Sequence, residues 1–346
     1  MKKILILILL ITFFALPVNA LEFTAPEVPE SGREWMPKET DSFAEGLWSI
    51  LWEALGRIQP ELSAGAKSCT ALIGISLLLS CARMIPGAPE KVLDLAGIVS
   101  VGVILLGPSG SMIRLAADTV DELSQYGKLL FPVLTAAMAA QGGTAASASI
   151  YAGTLAFDAV LSALISGVIV PMIYLYLCLA TLSAATGQEM IGKMKAFMKW
   201  LMTWCLKIVL YVFTGYMGIT GVVSGSADAA ALKATKLAIS GMVPVVGGIL
   251  SDTSEAILVG AGVMKSAVGI YGLLAVIAVW IGPFLKIGTQ YILLKISFGI
   301  CGIFPSKSST ALIKDFSGGL GLLLAMTGTV CLLLLISVVC FMKGVG

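Results

Sequence analysis

The sequence is built from long apolar runs that short charged connections separate. A helix of about 17 to 25 apolar residues can cross a hydrocarbon core of roughly 30 Å. Because lipid offers a bare backbone no hydrogen-bond partner, irregular chain at membrane depth needs surrounding protein or water. The pattern therefore predicts several membrane-spanning helices. The clear runs cover residues 66–82, 92–113, 200–223, 269–285, 287–304 and 319–342.

The composition excludes a soluble globular domain. Of the 346 residues, 58% are hydrophobic and 12% are charged, with a mean hydropathy of +0.98. These values lie well outside the range of soluble proteins. We expect an all-α, polytopic helical membrane protein with about seven to nine spans and a cytoplasmic carboxy terminus.

Three parts of the chain differ in character. Residues 1–20 have two lysines, an apolar core and a small-residue end at Ala20, which is typical of a secretory signal peptide; an uncleaved anchor is the alternative. Residues 21–65 carry nine acids and three bases and form an acidic extracytoplasmic arm under either reading. Residues 66–346 form the polytopic membrane domain.

The arm has two predicted segments. Residues 21–37 are rich in Pro and Glu, so we expect them to be extended and mobile. From Ser42 to Ile58 apolar residues recur at helical spacing, which predicts an amphipathic helix on the membrane surface with Trp48 and Trp52 at headgroup level. Packing on a partner or on the external loops is the alternative.

Charge placement predicts sidedness. The connection that contains Arg83 and Lys91 is basic, and so is the segment 189–199. The positive-inside rule therefore puts both in the cytoplasm. Residues 114–128 are rich in acids and fit an outside connection. An odd number of crossings must then lie in residues 129–187. Three short crossings, or one or two with a re-entrant piece, remain open.

The stretch 241–269 is apolar but repeatedly broken. Residues 237–250 are too short for an ordinary span, and an Asp and a Glu three residues later match a capping box that starts a new helix. This pattern predicts a re-entrant or broken helical hairpin lining a polar path or packing beside it. An external loop with two interfacial helices is the alternative. The candidate residues are Pro244, Gly247, Gly248, Asp252, Glu255, Gly260, Gly262 and Lys265.

Asp158 is the single charge in residues 129–187. An unpaired charge near the bilayer centre costs at least about 2.5 kcal/mol, so Asp158 should face protein or water. Lys207 and Lys295 also lie within apolar runs and could pair with it as part of an ion path. For Lys295 we favour snorkelling to the interface.

Enzyme chemistry has little support. The chain has no His, its seven cysteines are scattered, and no zinc-protease, Walker or nucleic-acid-binding pattern occurs. We therefore expect no catalytic residues, no metal, no cofactor and no nucleic-acid partner.

The order of parts resembles the stage III sporulation protein AE family of endospore-forming bacteria. The resemblance rests on Asp228 to Lys236, the Met242–Gly248 segment, Ser251-Asp252 and Val259–Gly262. It implies a component of the channel that links mother cell and forespore, located in the mother-cell-derived membrane and working with other stage III proteins and a separate ATPase. Membrane lipid is a further partner, and homo-oligomerisation remains open.

Three function classes follow. The first is a non-enzymatic subunit of this secretion-like channel complex, needed for sporulation. The second is a stand-alone secondary transporter that uses intramembrane charges such as Asp158 for ion coupling. The third is a scaffold that anchors partners through its acidic arm.

Overall fold

A computed structural model describes residues 25–37, 42–140, 144–219 and 267–343. In these ranges the chain is helical and contains no strand. The helices, numbered here in chain order, are α1 Glu30–Arg33, α2 Phe43–Gly56, α3 Ile58–Arg83, α4 Glu90–Ala140, α5 Thr144–Leu164, α6 Val170–Thr186, α7 Glu189–Ile219, α8 Ala267–Cys301 and α9 Lys307–Lys343.

One end of the bundle, here called the basic end, collects three basic segments. Arg83 at the end of α3 pairs with Asp94 of α4 and donates a hydrogen bond to the Pro305 carbonyl in the α8–α9 turn. Lys195, near the start of α7, pairs with Asp315 of α9. The α3–α4 connection, the start of α7 and the α8–α9 turn therefore lie together.

The opposite end, here called the acidic end, carries the arm. Ser31 contacts Glu122 in the second half of α4. The same end holds the start of α8 and the end of α9, because Gly272 lies against Leu130 in the second half of α4 and Gly269 lies against Met342. Tyr216 near the end of α7 donates a hydrogen bond to the Ser149 carbonyl near the start of α5.

The core is the antiparallel hairpin of α8 and α9. Both helices are apolar on nearly all sides and are mostly buried, α9 the more completely. Helices that are apolar all round belong inside a protein or a membrane. The other long helices surround this hairpin and keep large apolar side chains exposed, among them Val99 and Val103 of α4 and Ile208 of α7.

Helix α4 corrects one sequence prediction. Residues 114–128 were expected to be a polar outside connection, but they belong to a single helix from Glu90 to Ala140. At 1.5 Å per residue, its 51 residues extend about 75 Å, far more than a bilayer requires. The polar residues continue the helix because its other face still packs against the core through Val120, Leu123 and Leu130.

Residues 144–186 form one continuous helical rod, so three short crossings are wrong for this region. Helix α5 passes through a π-helical turn at Ile165–Ile169 into α6. Pro171 follows directly; its missing N–H and its ring disturb a regular α-helical ladder at this point. Gly187 ends α6 at φ 65°, in the left-handed region that glycine adopts without strain.

The arm is docked rather than extended, which corrects the expectation for residues 25–37. Val28 and Trp35 are buried, and Gly32 lies so close to α8 that an added Cβ would be 2.8 Å from the Val279 side chain. Helix α2 also packs on α8, and its Phe43 and Ile50 are buried. The predicted helix is present, its inner face lies on a long helix of its own chain, and Trp48 and Trp52 are exposed. Its position on the membrane surface stays a prediction.

Six helices in the described residues are long and apolar enough to cross a membrane. With α5 and α6 taken as one rod, successive helices run in opposite directions. The end of α9 therefore lies at the opposite end of the bundle from the α3–α4 connection. The sequence reading put both the Arg83–Lys91 connection and the carboxy terminus in the cytoplasm, and the structure is inconsistent with that pair. The cause is α8: the runs 269–285 and 287–304 were predicted as two crossings, but they form one helix, and one crossing fewer puts the end of α9 on the other side.

Candidate functional site: a buried carboxyl between two long helices

Asp158 lies on the face of α5 that packs against α4. Its side chain is buried, with the residue 1% exposed. The Ser124 hydroxyl of α4 donates a hydrogen bond to Asp158 Oδ2 at 2.6 Å. Among the described residues no hydrogen-bond partner faces Oδ1. One carboxylate oxygen is therefore held by a neighbouring helix while the other is unpaired.

Two hydroxyl groups extend this polar feature along α5. Thr154 and Ser162 stand four residues before and after Asp158, so all three side chains share one helix face. Both hydroxyl oxygens are buried and also have no partner in the described part of the chain. The three residues span about 12 Å along the helix axis. The π-turn begins three residues after Ser162.

The expected lysine partners of Asp158 are elsewhere. Lys207 and Lys295 are exposed, and neither forms an ion pair with Asp158. Lys295 instead lies over the Tyr291 ring, 5.6 Å from its centroid. Among the described residues, Lys128, one turn after Ser124 on α4, is the base in electrostatic range of Asp158.

This arrangement permits two chemistries. In a structural role, the hydrogen bond between the buried carboxyl and the hydroxyl holds the two helices together. A carboxyl with a free oxygen and hydroxyls on adjacent turns can also accept a proton or a monovalent cation, which is how intramembrane acids act in transport. No group of three metal-ligating side chains accompanies it within the described ranges.

The remaining predicted site residues lie outside the described residues. Pro244, Gly247, Gly248, Asp252, Glu255, Gly260, Gly262 and Lys265 all fall in residues 220–266. Their flanking helices are informative, however, because α7 ends and α8 begins at the acidic end. The segment therefore leaves and re-enters the described bundle at the same end.

A second polar cluster, at the basic end, was not anticipated from the sequence. Lys195 and Asp315 form an ion pair with side chains 17% and 16% exposed. The Tyr176 hydroxyl donates a hydrogen bond to the Asp315 carbonyl at 3.2 Å. Lys199 lies beside the Gly318 backbone, where an added Cβ would be 2.9 Å from its Nζ. The i,i+4 spacing of Lys195 and Lys199 was visible in the sequence, but their meeting with α9 was not.

Comparison with known proteins gives the family. Residues 57–344 match the family model described as stage III sporulation protein AE. The stage III sporulation protein AE of Bacillus subtilis (strain 168) is 22% identical over 287 residues, which cover 82% of this chain and 68% of that protein. No solved structure matches significantly. The chain belongs to the stage III sporulation protein AE family.

Proposed function

We propose that this chain is a non-enzymatic membrane subunit of the secretion-like channel complex that connects mother cell and forespore, and that sporulation requires it. The observation that carries the proposal is the family match across residues 57–344, which includes all six long apolar helices. Its site is the mother-cell-derived membrane around the forespore. Its partners are other stage III sporulation proteins, including a separate ATPase.

The charge distribution supports one orientation in that membrane. Lysines and arginines concentrate at the basic end, so the positive-inside rule puts this end in the cytoplasm. The acidic arm, the end of α9 and both flanks of residues 220–266 then face the space between the two membranes. Subunits in that space would meet the acidic end, and a cytoplasmic ATPase would act from the basic end.

Complementation and cross-linking in one strain test the proposal. A spore former that lacks its own stage III AE protein is given this chain with a carboxy-terminal tag, and heat-resistant spores are counted. We expect restored sporulation, and in-cell cross-linking during engulfment should recover other stage III proteins with the tag. Restored sporulation without any stage III cross-link would overturn the channel-subunit role.

Deletion of the arm separates this role from that of a scaffold. A chain without residues 21–60, secreted through the same signal, should keep part of its activity if the membrane domain does the work. Complete loss of sporulation with normal membrane insertion would favour an arm-based scaffold.

A stand-alone secondary transporter is the second candidate, and the unpaired Oδ1 of Asp158 is the observation that favours it. Purified protein in liposomes would then show ion-driven uptake that D158N abolishes, because an amide cannot carry the coupling proton. The subunit role predicts no uptake by wild type or variant.

The broken stretch has its own test. A cysteine at Thr253 or Ser254 should react with a small polar thiol reagent and be sheltered from a bulky one if this stretch lines a path. Full labelling by both reagents would indicate a simple exposed loop.

A further inference from the structure

Charge is unbalanced in the cluster at the basic end. Lys195, Lys295 and Lys314 all lie within electrostatic range of Lys199, and Asp315 is the single carboxylate acting on it among the described residues. Asp315 is already engaged, because Lys195 Nζ lies 2.5 Å from its Oδ2. Four ammonium groups therefore share one carboxylate.

The backbone geometry keeps Lys199 at this place. Its Nζ and the Tyr176 hydroxyl both lie over Gly318, 2.9 and 3.1 Å from the position of an added Cβ. Any side chain at position 318 would displace one of them. Lys199 is half-buried, yet it forms no ion pair of its own within the described residues. Lys199 therefore extends from α7 to α9, beside Tyr176 of α6, and has no carboxylate of its own among the described residues.

The surfaces beside the cluster are apolar and exposed. On α8, Ile292 and Ile296 flank Lys295 and are 57% and 51% exposed. On α7, Phe197, Trp200 and Trp204 form an exposed aromatic row with ring centroids 5.8 and 6.1 Å apart. Tryptophan rows of this kind are typical of the headgroup level of a bilayer.

We propose that the lysine cluster Lys195, Lys199, Lys295 and Lys314 binds the phosphate headgroup of an anionic phospholipid in the leaflet at the basic end. The headgroup supplies the negative charge that the cluster lacks, as basic pockets between membrane helices do for acidic lipids. The acyl chains lie along the aromatic row of α7. A free phosphate ion would satisfy the lysines but would leave this apolar surface uncovered.

Lipid binding to the purified full chain tests the proposal. Native mass spectrometry measures dissociation constants for phosphatidylglycerol and phosphatidylcholine with identical acyl chains. We expect phosphatidylglycerol to bind at least about tenfold more tightly, and the double variant K199Q/K314Q to lose most of this preference, since each lysine near a lipid surface contributes about a fivefold factor.

The control variant is K193Q. Lys193 has the same charge at the same end of the bundle, but it is 75% exposed and pairs with Glu189 on its own helix. Its preference for phosphatidylglycerol should stay within about twofold of wild type. The charge-preserving variant K199R/K314R guards against misfolding and should retain most of the preference.

Three results would overturn the proposal. The first is equal binding of the two lipids by wild type. The second is an equal loss of preference in K193Q and K199Q/K314Q, which would indicate a diffuse charge effect. The third is complete competition by inorganic phosphate, which would identify a soluble anion as the ligand.

The location of the lipid is tested by quenching. Phosphatidylglycerol with brominated acyl chains should quench the fluorescence of Trp200 and Trp204 in wild type. The quenching should fall in W200F/W204F and in K199Q/K314Q, and persist in K193Q. Unchanged quenching in both double variants would contradict binding at this cluster.

Discussion

The two ends of the bundle hold polar groups in different ways. At the basic end many charges occur on short connections and near helix starts, and some pair across helices, as Arg83 does with Asp94 and Lys195 with Asp315, while Lys199 has no ion pair of its own in the described residues. Toward the acidic end polar groups occur inside long helices, as Ser124 and Asp158 do, and some have no partner in the described residues.

The difference indicates a division of work. Paired charges at the basic end fix the helices against one another and orient the protein in the membrane. The acidic end combines a docked arm, a half-satisfied carboxyl and both flanks of residues 220–266. We therefore expect substitutions at the basic end to act mainly on stability and lipid binding, and those toward the acidic end to act mainly on activity.

The largest stability effect is expected for K195Q. Loss of the Lys195 ammonium leaves the largely buried Asp315 carboxylate without its ion partner, which should lower the free energy of unfolding by about 2 kcal/mol. This is less than the roughly 3–5 kcal/mol lost when a fully buried ion pair is broken. Thermal unfolding of the detergent-purified protein measures the change. K193Q should unfold within about 0.5 kcal/mol of wild type, because its pair is solvent-exposed. Equal unfolding temperatures for K195Q and K193Q would contradict a structural role for the ion pair at the basic end.

A smaller effect is expected for G32A in the arm. The new methyl group would meet both the Val279 side chain and its backbone nitrogen at 3.0 Å or less, so docking should weaken by about 1–2 kcal/mol. Limited proteolysis should then cut the arm faster than in wild type. The matched change G74A meets nothing within 4 Å and should leave the cleavage rate unchanged. If protease cuts the arm no faster in G32A than in G74A, the docked position of the arm is wrong.

The smallest stability effect is expected for D158N. An amide oxygen can still accept from Ser124, so unfolding should shift by less than about 1 kcal/mol. D158L removes that acceptor and should cost about 1 kcal/mol more, because the Ser124 hydroxyl becomes unsatisfied. If D158N destabilises as much as D158L, the negative charge itself is structural, and the contrast between the two ends fails.

The local sequence pattern was enough to predict the all-α membrane class and several of the helices. Apolar run length predicted the spans that became α3, α7 and α9, and periodicity predicted α2. Run length divided α8 wrongly, because the runs 269–285 and 287–304 form one helix, Ala267–Cys301. The local pattern also failed where tertiary packing overrides polarity: residues 114–128 look like a loop, yet they are helical because their apolar face lies against the α8–α9 hairpin. Periodicity in one helix cannot show this, since the partner surface is distant in sequence.

The site was predictable in part. Burial of Asp158 followed from the cost of a charge in an apolar run, and the spacing of Thr154, Asp158 and Ser162 was visible. Its partner Ser124 was hidden in a segment read as a connection. Likewise, the lysines of α7 were noted for sidedness, but their meeting with Asp315 needs the register between α7 and α9.

The orientation of the two ends is the most direct test. In a cysteine-free background, single cysteines replace Met84 at the basic end and Trp48 near the acidic end, both of which are exposed. A membrane-impermeant maleimide is added to intact cells and to inverted membrane vesicles. We predict labelling of position 48 in intact cells only and of position 84 in inverted vesicles only. Labelling of both positions from the same side, or the reverse pattern, would contradict the proposed orientation.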